Sequence, residues 1–267
     1  MDVPKTERPE RLLPGQGLIP SLVEEQVGYR LRFARTEADL QRVQRLRFRV
    51  FNLELNEGLN ESYQSGRDVD AFDEQCQHLM VEHTATNECV GTYRLQVAES
   101  ALAGEGFYSA GEFDLQQLPD EVLRKSIELG RACVEHDHRS KRVLFLLWRG
   151  LTEYVEHNHR DRFFGCSSLT SQDPSEGARL YLQLEDSGQV HPEMRVEPLP
   201  EFACLDQGAS GPKVVIPTLF GIYLRHGAYV LGPPAIDRQF GTIDFLTYLE
   251  VRPEHLKTFG RRGRGTR

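Results

Sequence analysis

The sequence predicts an α/β (α+β) fold, a mixed and mostly antiparallel sheet flanked by helices. Three observations carry this. Short runs of alternating apolar and polar residues recur along the chain, the pattern of half-buried strands. Residues 78–82 and Cys89–Val97 lie either side of the turn residues Thr86, Asn87 and Glu88 and read as an antiparallel hairpin. Ser126–Val134 and Arg162–Leu169 flank one long amphipathic helix over residues 139–157, so a parallel pair is expected at that crossover.

The elements follow in order. Residues 1–28 are rich in Pro, Glu and Arg without a clear period and read as an N-terminal arm. Residues 29–34 alternate Tyr, Leu and Phe with Arg and form a first strand. Thr36, with Asp39 three residues on, starts a helix whose Leu40, Val43, Leu46 and Val50 share one face. Residues 52–66 are polar, contain Gly58 and Gly66, and read as a long ordered loop, a kind that is usually functional. The crossover helix turns Val143, Leu147, Leu151, Tyr154 and Val155 inward, and residues 176–185 form a second amphipathic helix. Residues 29–185 are thus the core. Residues 186–250 are a C-terminal elaboration packed on it. Its first part, 186–213, is Pro- and Gly-rich loop, and residues 214–230 give a new element with Pro217 at the first helical position and Gly227 at the C-cap. Residues 240–249 read as a short helix or strand, and 251–267 are a basic tail.

Bulk properties exclude several classes. Hydrophobic residues make up 39% and charged residues 27% of the 267, which places the chain among ordinary globular proteins rather than disordered ones. The longest apolar run, residues 143–148, is far short of the roughly 18–20 needed to cross a bilayer. The N-terminus lacks an apolar secretory core. Five scattered cysteines without CxxC spacing point to reduced thiols and a cytoplasmic location. A net charge of −8 argues against nucleic acid as the main partner. Two basic patches stand out against it. One runs from His138 to Arg142 with Arg149 beyond, and the other is the tail, which is either a solvated end or a peripheral contact with anionic lipid.

The candidate chemistry lies between Asp68 and Val134. Asp68, Asp70 and Asp73 form an acidic cluster suited to an ammonium group. They lack the ligand rhythm of a calcium loop, and the pairs His136/His138 and His157/His159 do not make a zinc site, so no metal is expected. Glu128 and Arg131 are three apart and would face opposite ways on a regular strand. A bulge near Gly130 would bring both to one cleft and free backbone N–H groups to polarise a carbonyl. The alternative is a glycine-containing strand with a surface ion pair. Arg139, Lys141 and Arg142 at a helix N-terminus oppose its dipole, which favours an anionic partner there. Tyr181, in ARLYLQL, is either core or a proton donor to a leaving thiolate.

The segments VFNLELNEGLN, DVDAFDEQCQHLMV, VGTYRL, ELGRACV, LLWRGL, FGCSSL and YLRHGAYVLGPPAID, in this order over residues 29–249, together resemble the bacterial ornithine N-acyltransferases of the GNAT superfamily, whose homologues are often labelled hemolysin-like. The chain is also distantly similar to the acyl-homoserine-lactone synthases. The resemblance implies a GNAT-like core with a splayed central strand pair. It implies transfer of a 3-hydroxy fatty acyl chain from acyl carrier protein to the α-amine of an amino acid, ornithine first, giving a lyso-lipid. No cofactor is implied, because the acyl group arrives as a phosphopantetheine thioester. The roles implied are Glu128 as general base with Arg131 and Tyr181 beside it. Arg47, Phe51, Asp70, Asp73, Arg94 and Cys133 fall at the substrate, with backbone N–H groups near Cys133 holding the oxyanion. Arg139, Lys141, Arg142 and Arg149 meet the carrier and its phosphate. Acylation of another amine such as glycine or tyrosine, a signalling lactone as product, or a non-catalytic carrier-binding or membrane-active role stay open at this level.

Overall fold

The computed structural model describes residues 10–204 and 211–255. The alternating runs become strands β1 (Val23–Gln26), β2 (Tyr29–Phe33), β3 (Gln77–His83), β4 (Cys89–Val97), β5 (Ser126–Val134), β6 (Arg162–Leu169), β7 (Tyr229–Val230), β8 (Ala235–Asp237) and β9 (Thr242–Glu250). They form one sheet in the order β1-β2-β3-β4-β5-β6-β9-β7, with β8 also on β9. Of these strands only β5 and β6 pair in parallel, and the crossover that joins them is the one the sequence predicts.

Helix α1 (Glu37–Phe48) starts where the Thr36 hydroxyl accepts the Asp39 N–H at 3.3 Å. It buries Leu40, Val43 and Leu46, then widens into a π-helical turn, Arg49–Glu54, that carries Phe51 toward the sheet. The following loop holds only the single turn α2 (Ser62–Ser65). Helices α3 (Ala98–Ala103) and α4 (Asp120–Lys125) lie between β4 and β5. The crossover α5 (Lys141–His157) is capped by Ser140, which accepts the Val143 N–H at 3.3 Å. Its buried face holds Val143, Leu147, Leu151, Tyr154 and Val155 as expected. Helices α6 (Pro174–Asp186) and α7 (Thr218–Arg225) follow. Pro217 sits one residue before α7, at its N-cap, and Gly227 adopts φ +88° just past its end.

Residues of the sheet pack alternately against the two sides. Tyr93, Leu95, Ile127 and Phe163 join α5 in one core. Met80 and Cys133 join Val43, Leu46 and Phe51 on the α1 side. A third core gathers Phe164, Leu246 and Tyr248 with Phe113 and Leu115, and a fourth lies under α6 and α7.

Two stretches differ from the sequence reading. The segment read as an arm contains an edge strand, β1, paired to β2 from Val23↔Arg32 to Gln26↔Tyr29. The sequence VEEQ hides it because an edge strand needs no apolar face, and these four residues are exposed or half-buried. Residues 240–249 resolve to strand β9, which pairs with β6 from Arg162↔Glu250 to Leu169↔Ile243. The basic residues beyond His255 lie outside the described residues. Among the described residues no helix is long and apolar enough to cross a membrane.

Gly165, just past the last pair of β5 and β6, lies against the backbone of Leu129. A Cβ built there would lie 2.1 Å from the Leu129 carbonyl oxygen. Gly165→Ala should cost about 2–3 kcal/mol, because the obstacle is backbone and overpacking of this kind is relieved only by moving it. Chemical denaturation measures this, and an unchanged midpoint would remove the contact from the account.

Candidate active site

Strands β5 and β6 pair at Ser126↔Arg162, Ile127↔Phe163 and Glu128↔Phe164, and then part. On its other edge β5 carries one extra residue. Arg94 faces Gly130 and Thr92 faces Cys133, a step of two on β4 against three on β5. Arg131 takes up the difference with φ +48°. The predicted bulge is therefore present, one residue beyond Gly130. Its consequence is visible in the packing. Leu129 and Ala132 both lean on the α5 core, while Cys133 joins the α1 core. Glu128 and Arg131 are thus brought to the same side, where both meet the Tyr108–Gly111 turn. The Tyr108 and Ser109 N–H groups donate to Glu128 at 2.9 and 2.7 Å. The Arg131 guanidinium lies 4.8 Å from the Tyr108 ring and 4.6 Å from the Phe240 ring.

Arg131 belongs to a closed ring of charges. Arg47 binds Asp68 at 2.6 Å and Asp73 at 2.7 Å. Arg94 binds Asp73 at 3.2 Å and Asp70 at 2.6 Å. Arg131 binds Asp70 at 2.9 Å and Asp68 at 3.2 Å. Each carboxylate bridges two guanidiniums and each guanidinium two carboxylates. Burial works against the charge on Asp70 and Asp73, but the arginines outweigh it and hold both below the ordinary carboxylate range. Burial also pushes His78 down to about 4, so it stays neutral beside the Asp73 carbonyl, 2.9 Å from its Nε2.

A cavity of about 660 Å³ runs through the fork, within the range that holds small-molecule substrates. One wall is apolar, from Leu144, Leu147 and Leu151 of α5 and Ile222 of α7. The other is polar, with Glu128, Arg94, Arg131, Glu57 and Asp244. Glu128 is 5% exposed, and burial raises its pKa against the pull of the two N–H donors. Burial likewise pushes the Cys133 thiol well up, so it is neutral.

The expected residues divide accordingly. Glu128, Arg131, Arg94, Phe51 and Cys133 line the cavity, as do Arg139 and Lys141. Arg139, Lys141 and Arg142 are exposed, with Arg139 paired to Glu54 at 2.7 Å. Arg47, Asp70 and Asp73 are not on the wall. Their charges are matched inside the ring, where they hold Arg94 and Arg131. Two further expectations are corrected. Arg149 is not part of the basic patch; it is buried and paired with Glu24 of β1 and Glu153. Tyr181 does not reach the cavity, because α6 turns Leu180 and Leu184 inward and leaves the Tyr181 hydroxyl to accept from Arg195 at 3.3 Å.

Sequence reasoning missed the Tyr108–Gly111 turn, Phe240 and a second acidic group. In that group, atoms of Glu112, Cys166 and Asp244 come within 4.8 Å of one another. Asp244 did leave a signal, as an acid at an inward position of the apolar strand TIDFLTYL.

Parallel strands that part over a crossover helix are the layout of the GNAT acyltransferases, and residues 46–149 match the acetyltransferase (GNAT) domain family. Over 236 residues the chain is 36% identical to the L-ornithine N(alpha)-acyltransferase of Brucella abortus, spanning 83% of this chain and 84% of that one. It is 29% identical over 256 residues to the L-ornithine N(alpha)-acyltransferase of Rhodobacter capsulatus, spanning 90% and 98%. Among solved structures the AHL synthase LasI aligns over 86% of this chain and 94% of its own, with a TM-score of 0.47 and 11% identity. The protein is an acyltransferase with the GNAT fold. It belongs to the L-ornithine N(alpha)-acyltransferase family.

Arg47 is fully buried, so Arg47→Leu leaves Asp68 and Asp73 each short of a partner. A loss of about 3–5 kcal/mol is expected for breaking a buried ion pair. Urea unfolding reads it, and a loss within the error of the fit would mean that the ring closes without Arg47.

Proposed function

We propose that the protein transfers a 3-hydroxy fatty acyl group from acyl carrier protein to the α-amino group of ornithine, giving a lyso-ornithine lipid. The observation that carries this is the position of Glu128. It is a buried carboxylate on the polar wall of a cavity whose opposite wall is apolar, where the strands part.

In this reaction the acyl chain lies against α5 and α7. Its thioester carbonyl sits in the fork, and the pantetheine arm leaves past Arg139 and Lys141. Glu128 takes a proton from the ammonium, directly or through water. The freed amine attacks the carbonyl carbon. Backbone N–H groups of β5 near Cys133, on the edge that has lost β6, hold the oxyanion. The C–S bond then breaks and the carrier leaves as its thiol once the thiolate is protonated, so one amide and one thiol replace one thioester and one amine. Arg94 and Arg131, immobile in the ring, offer a fixed positive surface to the substrate carboxylate. The reading is supported by the family membership and by the basic rim, since an acidic carrier would be steered to exposed Arg139, Lys141 and Arg142. The product is an amphiphile, which fits peripheral membrane contact through the tail. Mass spectrometry of the purified protein with 3-hydroxyacyl carrier protein and ornithine is the direct test. Absence of N-acylornithine would end the proposal, and equal turnover of the coenzyme A thioester would remove the carrier from it.

Glu128→Gln should lower kcat by about two to four orders of magnitude. The pH profile gives an independent check. Burial raises the Glu128 pKa, so the base form is lost as pH falls through a value above the ordinary glutamate figure of about 4.3. The acidic limb of kcat/KM should lie there in the wild type and be absent from the residual activity of the variant. An unshifted rate in Glu128→Gln would give the proton to another group. Reversing charge at the rim, with Arg139→Glu and Arg142→Glu, should raise the KM for the carrier about tenfold at low salt and less at high salt, by loss of steering. A salt-independent KM would place docking elsewhere.

A further inference from the structure

The second acidic group is unlike the ring in one respect: nothing in it balances the charge. Asp244, on β9 opposite Ser168 of β6, is 3% exposed, and Glu112, just past the Tyr108–Gly111 turn, is 4% exposed. Asp244 Oδ1 and Glu112 Oε2 are buried without a hydrogen-bond partner, although the two carboxyl groups interact with each other and Asp244 also with the Ser168 and Thr242 hydroxyls. Glu57 lies near, its carboxylate accepting the Thr170 hydroxyl, and Asp237 accepts the Gln239 and Phe240 N–H groups at 2.8 and 2.9 Å. The cation that acts on Glu112 is Arg131, which is already committed to Asp68 and Asp70. Burial and the neighbouring Asp244 and Asp237 push Glu112 up to about 10, and burial raises Asp244 and Glu57 as well. Carboxylates buried this close together are costly unless they hold a proton or receive a cation.

The group opens on the same cavity as Glu128, since Asp244 and Glu57 line it. One short path of side chains joins the two. Ser109 N–H donates to Glu128, and the Cys166 thiol donates to the Ser109 hydroxyl at 3.5 Å. Cys166 is itself within 4.8 Å of the Glu112 and Asp244 oxygens. Along β6 the separation is the run from Phe164, which pairs with Glu128, to Ser168, which pairs with Asp244.

We propose that Asp244, backed by Glu112 and Glu57, receives the side-chain ammonium of a diamino acid whose α-amine is at Glu128, and so determines the choice of ornithine over amino acids without a terminal amine. This rests on the N-acyltransferase reading and adds to it the residues that select the substrate. The four carbons between the two amines of ornithine place one at the base and the other at the acids. The acids then gain a charged donor, and a buried site built to bind a polar group rejects the analogue that leaves it empty.

The test compares ornithine with norvaline, which has the same carbon chain and no terminal amine, using the full chain and saturating acyl carrier protein. The wild type should favour ornithine at least a hundredfold in kcat/KM. In Asp244→Asn this ratio should fall about a hundredfold, and in Glu112→Gln it should fall less. An ornithine-to-norvaline ratio that is unchanged in Asp244→Asn overturns the assignment, as does a wild type indifferent to the terminal amine. So does loss of turnover on adding EDTA with recovery on Zn²⁺, which would give Glu112, Cys166 and Asp244 to a metal. Wild type that acylates neither amine sinks the N-acyltransferase reading instead. Calorimetric binding of ornithine, which needs no acyl donor, then decides the present assignment by whether Asp244→Asn abolishes it.

Discussion

The ring of three guanidiniums and three carboxylates is the constraint on which the site depends. It ties α1 through Arg47, the acidic loop through Asp68, Asp70 and Asp73, β4 through Arg94 and the bulge of β5 through Arg131. Charges this deeply buried are tolerable only when every one is paired, and closure into a ring achieves that without a loose end. The ring also holds Arg131 in the left-handed region, where a non-glycine residue is disfavoured. The bulge decides which way β5 faces, and so whether Glu128 shares a side with Arg131. The same strand then leaves β6 after Glu128, just where Gly165 presses on the Leu129 carbonyl. Geometry at the fork is therefore set by electrostatics some residues away from it.

The two acidic groups beside the cavity have opposite characters. In the ring, acids and bases are matched and the pKa values of Asp70 and Asp73 fall. Around Asp244 the acids are unmatched and the values rise. Matched charges make a rigid scaffold that holds Arg94 and Arg131 against the cavity. Unmatched ones are a binding site, or a stability cost with no return. The thiols of Cys133, near Arg47 and Asp68, and of Cys166, within the Asp244 group, are both pushed up by burial and stay neutral.

Much of this could be read from the chain. The bounds of β5 and β6 followed from alternation, the start of α1 from Thr36 and Asp39, and the bulge from the conflict between Glu128 and Arg131 over facing. What escaped the sequence depended on distant partners. Arg149 reads as part of a basic run, yet it is neutralised by Glu24, more than a hundred residues earlier and on a strand with no apolar face to betray it. The acids at Asp68, Asp70 and Asp73 look like an open amine site because the arginines that close the ring come from three other elements. Tyr181 is set by which stripe of α6 is more apolar, and Leu180 and Leu184 take the inward side. Glu112 and Asp244 are far apart in sequence and meet only because β9 returns beside β6.

The division of the cavity into two walls has a consequence for how the substrates reach each other. The sheet itself separates an apolar side, under α5 and α7, from a charged side, under the Tyr108–Gly111 turn. The fork is the opening between them. In the proposed reaction a lipid chain occupies the first and a doubly charged amine the second, so neither has to cross the other's surroundings. A chain that strayed to the charged side would bury the ring's neighbours without satisfying them, and an ammonium on the apolar side would lose its hydration with no acceptor in return. The thioester carbonyl is the one part of the donor that both sides can touch. Its place in the fork is thus dictated by solvation before any catalytic group is invoked, and Glu128, at the last paired position of β5, is the carboxylate that borders that opening.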